Sequence, residues 1–95
     1  MYAVVRHYHF NKEESGKIDQ LVQDLLLPEL KKLQGFVSYY WLDTGEGEGA
    51  SLSVFSDKAG ADNSVRTAAE FVKKHLGDSV MQKVEIIEGP VKANG

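Results

Sequence analysis

The chain has 95 residues, no cysteine and a formal net charge of −3. We expect residues 1–95 to form a single domain, because chains of this length rarely divide. The acidic balance argues against a nucleic-acid partner, which is normally held by clustered cations. No stretch approaches the roughly 20 apolar residues that span a bilayer, and the N-terminal residues lack a secretory pattern. We therefore expect a cytoplasmic protein with no membrane contact.

The first apolar run, Tyr2–Phe10, is rich in valine and aromatic residues and predicts a strand. Asn11 and Glu14 are spaced as a capping box, with Ser15 as an alternative cap for the helix that follows. Pro28 predicts a kink or restart within this helix, because proline cannot donate to the preceding turn. The apolar residues at helical spacing are Ile18, Leu21, Val22, Leu25, Leu30 and Leu33.

The strongest strand pattern is Phe36–Leu42, which is followed by a polar, glycine-rich segment and a third strand at Ala50–Phe55. Their close spacing predicts a hairpin with a loose tip at residues 43–49. Alternation assigns apolar residues to both faces of the second strand. One face has Phe36, Tyr40 and Leu42, and the other has Val37, Tyr39 and Trp41.

Asp57 is a plausible N-cap for a second helix, and Gly77 is a plausible C-cap. Small apolar residues between them recur at helical spacing, which predicts a helix lying close to a sheet. The stripe consists of Ala61, Val65, Ala68, Ala69, Val72 and Leu76. The last strand is predicted at Val80–Glu88, and it is followed by a short tail.

This order of elements predicts an α+β fold of the ferredoxin-like βαββαβ type. Right-handed crossovers place both helices on one face of a four-stranded antiparallel sheet, with the first and third strands in the centre. The opposite face then carries apolar side chains, and such a surface usually marks an interface. We expect a second copy to cover it in a homodimer. A monomer with an apolar sheet, or a different protein partner, is the alternative.

The element order and several short stretches carry a family resemblance. The stretches are Pro28–Leu30, Gly35–Phe36 with Tyr40, Val54–Asp57 and Glu88–Val91. In these features the chain resembles the antibiotic biosynthesis monooxygenase (ABM) group of the dimeric α+β barrel superfamily. The resemblance implies facing sheets in a dimer and a cleft between sheet and helices in each subunit. Members of the ABM group include cofactor-independent monooxygenases acting on quinol-like aromatics, haem-degrading enzymes and proteins of no known activity.

The haem-degrading members of that group carry an asparagine on the first strand, a tryptophan on the third strand and a histidine on the second helix. In this chain Asn11 lies beyond the first strand, and Trp41 lies on the second strand. Only His75 has a matching position. We therefore expect no haem and no other cofactor.

The first strand places polar side chains inside the predicted fold. Its two faces carry Tyr2, Val4, Arg6 and Tyr8, and Ala3, Val5, His7 and His9, respectively. We expect the small Ala3 and Val5 to pack under the helices, and Arg6 and Tyr8 to line a cleft on the opposite face. There Arg6 would hold an anionic or enolate oxygen, and Tyr8 would donate to or stack on an aromatic ligand. Alternatively, Arg6 pairs with Glu85 and Tyr8 fills the dimer core.

Other candidates for ligand contact come from the later elements. Tyr40 belongs to the aromatic run Tyr39–Trp41, for which packing in a core or an interface is the alternative to stacking on a ligand. Ser51, Ser53 and Phe55 share a face of the third strand, where the serines leave room for a cavity floor. The predicted ligand-binding residues are Arg6, Tyr8, Tyr40, Ser53, Phe55 and His75. No residue pattern assigns a catalytic acid, base or nucleophile.

His7 and His9 are two residues apart on one strand face, a spacing that metal sites use. No third ligand lies at a fixed sequence spacing from this pair. His75 or Glu88 would serve as one only if the fold brought it near. We therefore predict no metal site.

Two functional hypotheses follow from the sequence. The first is a cofactor-independent monooxygenase that acts on a small aromatic or quinol-like molecule in a cleft between sheet and helices. The second is a non-catalytic dimeric module that binds a small ligand or serves a stress response.

Overall fold

A four-stranded antiparallel sheet forms one layer of the structure, and the helices pack on one of its faces. The computed structural model describes residues 1–77 and 80–95. The strands are β1 (Tyr2–Phe10), β2 (Phe36–Gly45), β3 (Glu48–Phe55) and β4 (Met81–Pro90). Their order in the sheet is β2-β3-β1-β4, and every neighbouring pair is antiparallel. The predicted ferredoxin-like α+β fold, with the first and third strands central, is confirmed.

The first helical region changes its hydrogen-bonding pattern three times. A 3₁₀ turn (Lys12–Glu14) leads into α1 (Ser15–Leu21), a π-helical segment (Val22–Leu26) and α2 (Leu27–Lys31). The Asn11 side chain caps the start by accepting from the backbone N–H of Glu13 at 3.1 Å. Pro28 lies in the first turn of α2, where a helix tolerates a missing N–H. The restart predicted at the proline is therefore present, and the π-helical segment precedes it.

The π-helical segment changes which residues of this region are buried. Ile18, Val22, Leu26 and Leu30 are buried, at a spacing of four residues. A π turn takes up more residues than an α turn, so it shifts the buried face by one position. Leu25, predicted on the apolar face, is instead 42% exposed, and Leu26 takes its place.

An irregularity in β2 changes the predicted faces of that strand. Between Phe36 and Ser38 the register against β3 slips by one residue. Such a bulge inserts an unpaired residue and turns the following side chains to the other face. Phe36 therefore lies on the same face as Tyr39 and Trp41, against the helices. Its predicted grouping with Tyr40 and Leu42 is wrong.

The hairpin between β2 and β3 is tight, so the predicted loose tip is wrong. Only Glu46 and Gly47 separate the strands, with φ angles of 58° and 79°. Positive φ at both central residues suits the right-handed twist of a hairpin. The backbone N–H of Phe10 also donates to the carbonyl of Gly47 at 2.8 Å. This bond fixes the hairpin tip against the end of β1.

The second long helix, α3 (Lys58–His75), begins and ends as predicted. The Asp57 side chain accepts from the N–H of Gly60 at 2.9 Å, and Gly77 ends the helix with φ 73°. The predicted stripe is largely buried, but Ala69 is exposed and Ser64 is buried instead. Ser64 is compatible with burial because its hydroxyl donates to the carbonyl of Ala61 at 2.6 Å.

The hydrophobic core fills the space between the helices and one face of the sheet. Its largest fully buried side chains are Phe55, Ile18, Leu30 and Val4. The opposite, open face of the sheet carries no helix. Among the described residues, no helix is long and apolar enough to cross a membrane.

Candidate functional site

The two faces of β1 are the reverse of the predicted arrangement. Val4, Arg6, Tyr8 and Phe10 are buried beneath the helices, with no side chain more than 5% exposed. The other face, with Ala3, Val5, His7 and His9, belongs to the open side of the sheet and is only partly buried. The reason lies in α3, because its small buried residues leave space that only large β1 side chains fill. Arg6 and Tyr8 thus lie between sheet and helices.

Arg6 is a buried cation without a carboxylate partner among the described residues. It is 5% exposed, and its Nη1 donates to the backbone carbonyl of Val65 at 3.4 Å. Its Nε is buried with no partner in the described part of the chain. The alternative pairing with Glu85 is wrong, because Ile86 lies opposite Arg6 and Glu85 lies on the open face. The guanidinium is therefore available to an anion.

Two tyrosines and a serine share the interior with Arg6. Burial raises the pKa of Tyr8, and the Arg6 charge partly opposes this. Burial also raises the pKa of Tyr39 strongly, with a further increase from Tyr8, while a hydrogen bond with Ser51 opposes the shift. Ser51 is 2% exposed and lies directly across the ladder from Arg6. Both phenols remain neutral donors at physiological pH, beside a permanent positive charge.

A surface groove of about 340 Å³ lies beside Tyr39. It lies between the first helical region and β2, and its lining residues are Asp19, Val22, Gln23, Leu27, Tyr39 and Trp41. The indole N–H of Trp41 donates to Oδ1 of Asp19 at 2.8 Å, which joins the two walls at one side. Tyr39 belongs both to the groove and to the cluster around Arg6. It is therefore the residue that the groove wall shares with the cluster, whereas Arg6, Tyr8 and Ser51 lie behind the lining residues.

Aromatic packing fixes the position of Tyr8. Its ring meets Trp41 edge-on, with 5.5 Å between the ring centroids. The Arg6 guanidinium lies 5.7 Å from the centroid of the Tyr8 ring. Tyr8 is thus held between Trp41 of the groove wall and the Arg6 cation.

The structure brings together only some of the predicted ligand-binding residues. Ser53 is 4% exposed and lies on the same interior face of β3 as Ser51. Phe55 is fully buried and packs edge-on against Phe36, so it belongs to the core. Tyr40 is 58% exposed on the open face of the sheet, away from Arg6.

His75 lies outside the cluster. It borders a separate surface groove of about 250 Å³ along α3, beside Phe71. The two rings lie 4.9 Å apart between centroids. The structure therefore separates the histidine from the buried cation, and a joint role with Arg6 finds no support in their positions.

Tyr39, Ser51 and Trp41 were not among the predicted ligand-binding residues, although Ser51 was placed beside Ser53 on a possible cavity floor. The sequence signal for Trp41 and Tyr39 was present, but an aromatic run in a strand is equally typical of a core. Ser51 shares the alternation of Ser53 along β3, and that pattern was the available signal. Their roles become visible only once the bulge in β2 assigns its faces.

The arrangement combines an apolar and aromatic groove with one fixed cation and two neutral phenol donors. Such a set binds and stabilises an oxyanion on an aromatic molecule. The described groove residues contain no pairing of a nucleophile with a base of the kind used in acyl transfer. The chemistry that the site supports is stabilisation of a substrate anion.

Solved structures with very different sequences share this fold. NE2512, a protein of unknown function from Nitrosomonas europaea, has a TM-score of 0.82 at 14% identity, covering 99% of this chain and 91% of that one. A protein described as an antibiotic biosynthesis monooxygenase has a TM-score of 0.76 at 12% identity, covering 98% and 100%. This is the ABM fold. SnoaB, a cofactor-independent oxygenase from Streptomyces nogalater, has a TM-score of 0.72 at 8% identity, covering 98% and 94%.

The resemblance to the ABM group is thus confirmed at the level of the fold. No sequence model of a protein family matches the chain, and no curated protein matches it. At such low identities the ABM fold does not determine the reaction, since one fold serves many activities. The groove and the cluster around Arg6 are therefore the features that bear on function.

Proposed function

We propose that the protein is a cofactor-independent monooxygenase that acts on a small aromatic or quinol-like molecule bound between sheet and helices. The supporting observation is the buried Arg6, which has no carboxylate partner among the described residues. An unpaired buried charge is unfavourable for folding. A bound anion would compensate this charge, which gives the protein a reason to retain it.

In the proposed reaction the substrate itself supplies the electrons. An electron-rich aromatic ring carrying a hydroxyl loses a proton to solvent, and Arg6 stabilises the resulting anion. The anion then reduces O₂: one oxygen atom replaces the hydrogen of a ring C–H group, so that this carbon and the carbon bearing the original hydroxyl both become C=O. The other oxygen atom leaves as water, with the hydrogen from that C–H and one proton returned by solvent. The substrate loses four electrons and O₂ gains four, so the step balances. Tyr8 and Tyr39, as neutral donors, orient the substrate oxygen.

The groove has the size and lining that such a substrate requires. Its volume of about 340 Å³ lies at the lower end of small-molecule sites. Val22, Leu27 and Trp41 supply apolar and aromatic wall. The fold shared with SnoaB, described as a cofactor-independent oxygenase, adds support for this reaction class.

Oxygen consumption with a panel of quinols and hydroxylated polycyclic aromatics tests the proposal. We expect uptake with at least one compound, and we expect Arg6→Ala to abolish it while circular dichroism remains unchanged. Arg66→Ala is the matched control, because Arg66 is the other arginine and lies exposed on α3. Trp41 is the only tryptophan, so its fluorescence reports ligand entry independently of turnover.

Two results would contradict the proposal, the first for the role of Arg6 and the second for catalysis itself. Turnover that persists in Arg6→Ala would remove Arg6 from the mechanism. Saturable quenching of Trp41 without oxygen uptake across the panel would support the second hypothesis, a non-catalytic ligand-binding module.

We further propose that the working unit is a cytoplasmic homodimer that buries the open sheet face. Large apolar side chains are exposed there, including Tyr40, Leu42 and Ile87, the last being 71% exposed. A shallow apolar hollow lined partly by Ala3, Val5 and Ile87 lies on the same face. A second copy offers both projecting side chains and a matching hollow.

A further inference from the structure

Two histidines and two glutamates converge on the open face of the sheet, near the hairpin tip. His7 and His9 extend from β1, Glu48 from β3 and Glu85 from β4. In the ladders His9 lies opposite Glu48, and His7 lies opposite Glu85. Because β1 is central, its two histidines have a carboxylate on each side. This cluster is separate from the groove, which lies under the helices.

Each imidazole ring contacts both carboxylates. On one side, Oε1 of Glu48 lies 3.1 Å from Nε2 of His7 and 3.8 Å from Nδ1 of His9. On the other side, Oε1 of Glu85 lies 3.3 Å from Nδ1 of His7 and 3.4 Å from Nε2 of His9. The two rings are 4.6 Å apart between centroids. Both ring nitrogens of both histidines therefore face carboxylate oxygen.

A neutral imidazole cannot satisfy this arrangement alone. It has one N–H and one nitrogen lone pair, so one of its two nitrogens donates and the other does not. When the N–H of each ring points to Glu85, the lone pairs face the oxygens of Glu48. Lone pairs facing each other at this distance repel unless a cation lies between them. The arrangement thus calls for either a proton on each ring or a metal cation on the Glu48 side.

The donor atoms are spaced as a metal ion requires. Ligand atoms of His7, His9 and Glu48 all lie within 4.8 Å of one another. Around a tetrahedral zinc ion with bonds of about 2.0–2.1 Å, neighbouring donors lie about 3.3 Å apart. The distances from Oε1 of Glu48 to the two histidine nitrogens bracket that value. Only small side-chain movements separate the cluster from a coordination geometry.

We propose that His7, His9 and Glu48 bind a divalent transition-metal ion of the Zn²⁺ class, with Glu85 accepting the N–H of each histidine. Nitrogen and carboxylate donors suit zinc and its neighbours, whereas Mg²⁺ and Ca²⁺ prefer oxygen alone. A carboxylate behind a metal-bound histidine fixes the ring and increases its basicity. Three protein ligands leave a fourth position for water or another donor.

The proposed site departs from the sequence-based expectation of no metal. The His7–His9 pair was recognised, but His75 and Glu88 were the candidates for a third ligand. The pairing of β1 with β3 and β4 instead supplies Glu48 and Glu85, which are 39 and 76 residues from His9 along the chain. Only the strand register brings them together.

Metal binding to the untagged, EDTA-treated protein tests the proposal. Isothermal titration with Zn²⁺ is expected to show one saturable site per chain. Co²⁺ is expected to give visible absorption bands that Zn²⁺ abolishes. Each of His7→Ala, His9→Ala and Glu48→Gln should weaken binding by more than the roughly 10–100-fold typical of an outer partner. Glu85→Gln should fall within that range.

His75→Ala is the matched control, since His75 is the third histidine and lies on α3. Its affinity for Zn²⁺ should equal that of the unchanged protein. Glu46→Gln, at the exposed hairpin tip, controls for Glu48 in the same way. In the isolated chain all of these side chains are partly or fully exposed, and circular dichroism verifies that each variant is folded.

Three results would overturn the site. The first is the absence of saturable Zn²⁺ binding in the unchanged protein, which would leave the cluster as hydrogen-bonded ion pairs closed by protons. The second is equal affinity in His7→Ala, His9→Ala and the control. The third is binding that depends on Glu85 and not on Glu48. Because none of these readouts uses oxygen consumption, the site stands or fails independently of the monooxygenase.

Discussion

Arg6 lies directly opposite Ser51 in the ladder between β1 and β3, and both side chains are buried beneath α3. The hydroxyl of Ser51 gives the buried guanidinium a polar neighbour across the ladder. The pair therefore combines a fixed charge with a buried hydroxyl.

Replacing Arg6 should separate stability from function. In Arg6→Met an apolar chain of similar length takes the place of an unpaired buried cation. We expect the free energy of unfolding to stay equal or to rise by about 1 kcal/mol, while ligand binding is lost. Urea denaturation and quenching of Trp41 fluorescence measure the two quantities. A loss of about 3–5 kcal/mol would instead indicate a broken ion pair.

The buried phenols should make stability fall at alkaline pH. The pKa values of Tyr8 and Tyr39 are raised above the ordinary 10.0 in the folded state, chiefly by burial. Their stabilisation is fully present below pH about 10 and is lost as the pH rises further, because the unfolded chain ionises first. Absorbance near 295 nm should show late ionisation that coincides with unfolding.

Tyr39→Phe provides the control for the alkaline transition. It removes one of the late-ionising groups, so the amplitude of the late phase should fall and unfolding should move to higher pH. Smooth ionisation of all tyrosines near pH 10 in folded protein would show that neither phenol is buried as described.

Neighbouring isoleucines on β4 test the proposed dimer. Ile87 lies opposite Val5 on the open face, whereas Ile86 lies opposite Arg6 and points to the helix side. We expect Ile87→Asp to yield monomers and Ile86→Asp to leave the dimer intact, because a charge buried in an interface without a partner is unfavourable. Light scattering after size-exclusion chromatography measures the mass. Monomeric unchanged protein at micromolar concentration would remove the interface.

Gly60 should be required for the close approach of α3 to the sheet. A Cβ at this position would lie 2.8 Å from the carbonyl oxygen of Gln34 and 3.0 Å from the Phe55 ring. We expect Gly60→Ala to lower the free energy of unfolding by about 1–3 kcal/mol through overpacking. Urea midpoints measure the effect.

Gly16 is the matched control for Gly60. It lies within α1, and a Cβ there would meet nothing within 4 Å. Gly16→Ala should raise the free energy of unfolding by roughly 0.5–1 kcal/mol, because alanine loses less backbone entropy in a helix. Equal effects from the two substitutions would contradict the packing described for Gly60.

The strand order and helix ends were predictable because their signals are local. Asp57 and Gly77 have the side-chain chemistry that helix ends require, and the element order limits the topology to few solutions. The faces of the strands were less predictable. Val4 and Val5 are both apolar, so the alternation along β1 does not decide which side meets the helices.

Two irregularities account for two further errors. The π-helical segment and the bulge near Phe36 each insert one residue, which exchanges Leu25 for Leu26 and moves Phe36 to the other face. Neither leaves a trace in periodicity, because backbone hydrogen bonding and tertiary packing determine both. The prediction of the candidate site was limited in the same way. Arg6 was recognised by its unusual charge, but Tyr39 resembled an ordinary core residue.

The π-helical segment also has an evolutionary consequence, because Val22 and Gln23 belong both to it and to the groove wall. Deleting one residue from this segment would restore a regular α-helix and rotate everything before it by about 100°. The wall would then present different side chains, while the sheet and Arg6 remained unchanged. In this architecture, gain or loss of a single codon is therefore a route to a new ligand specificity.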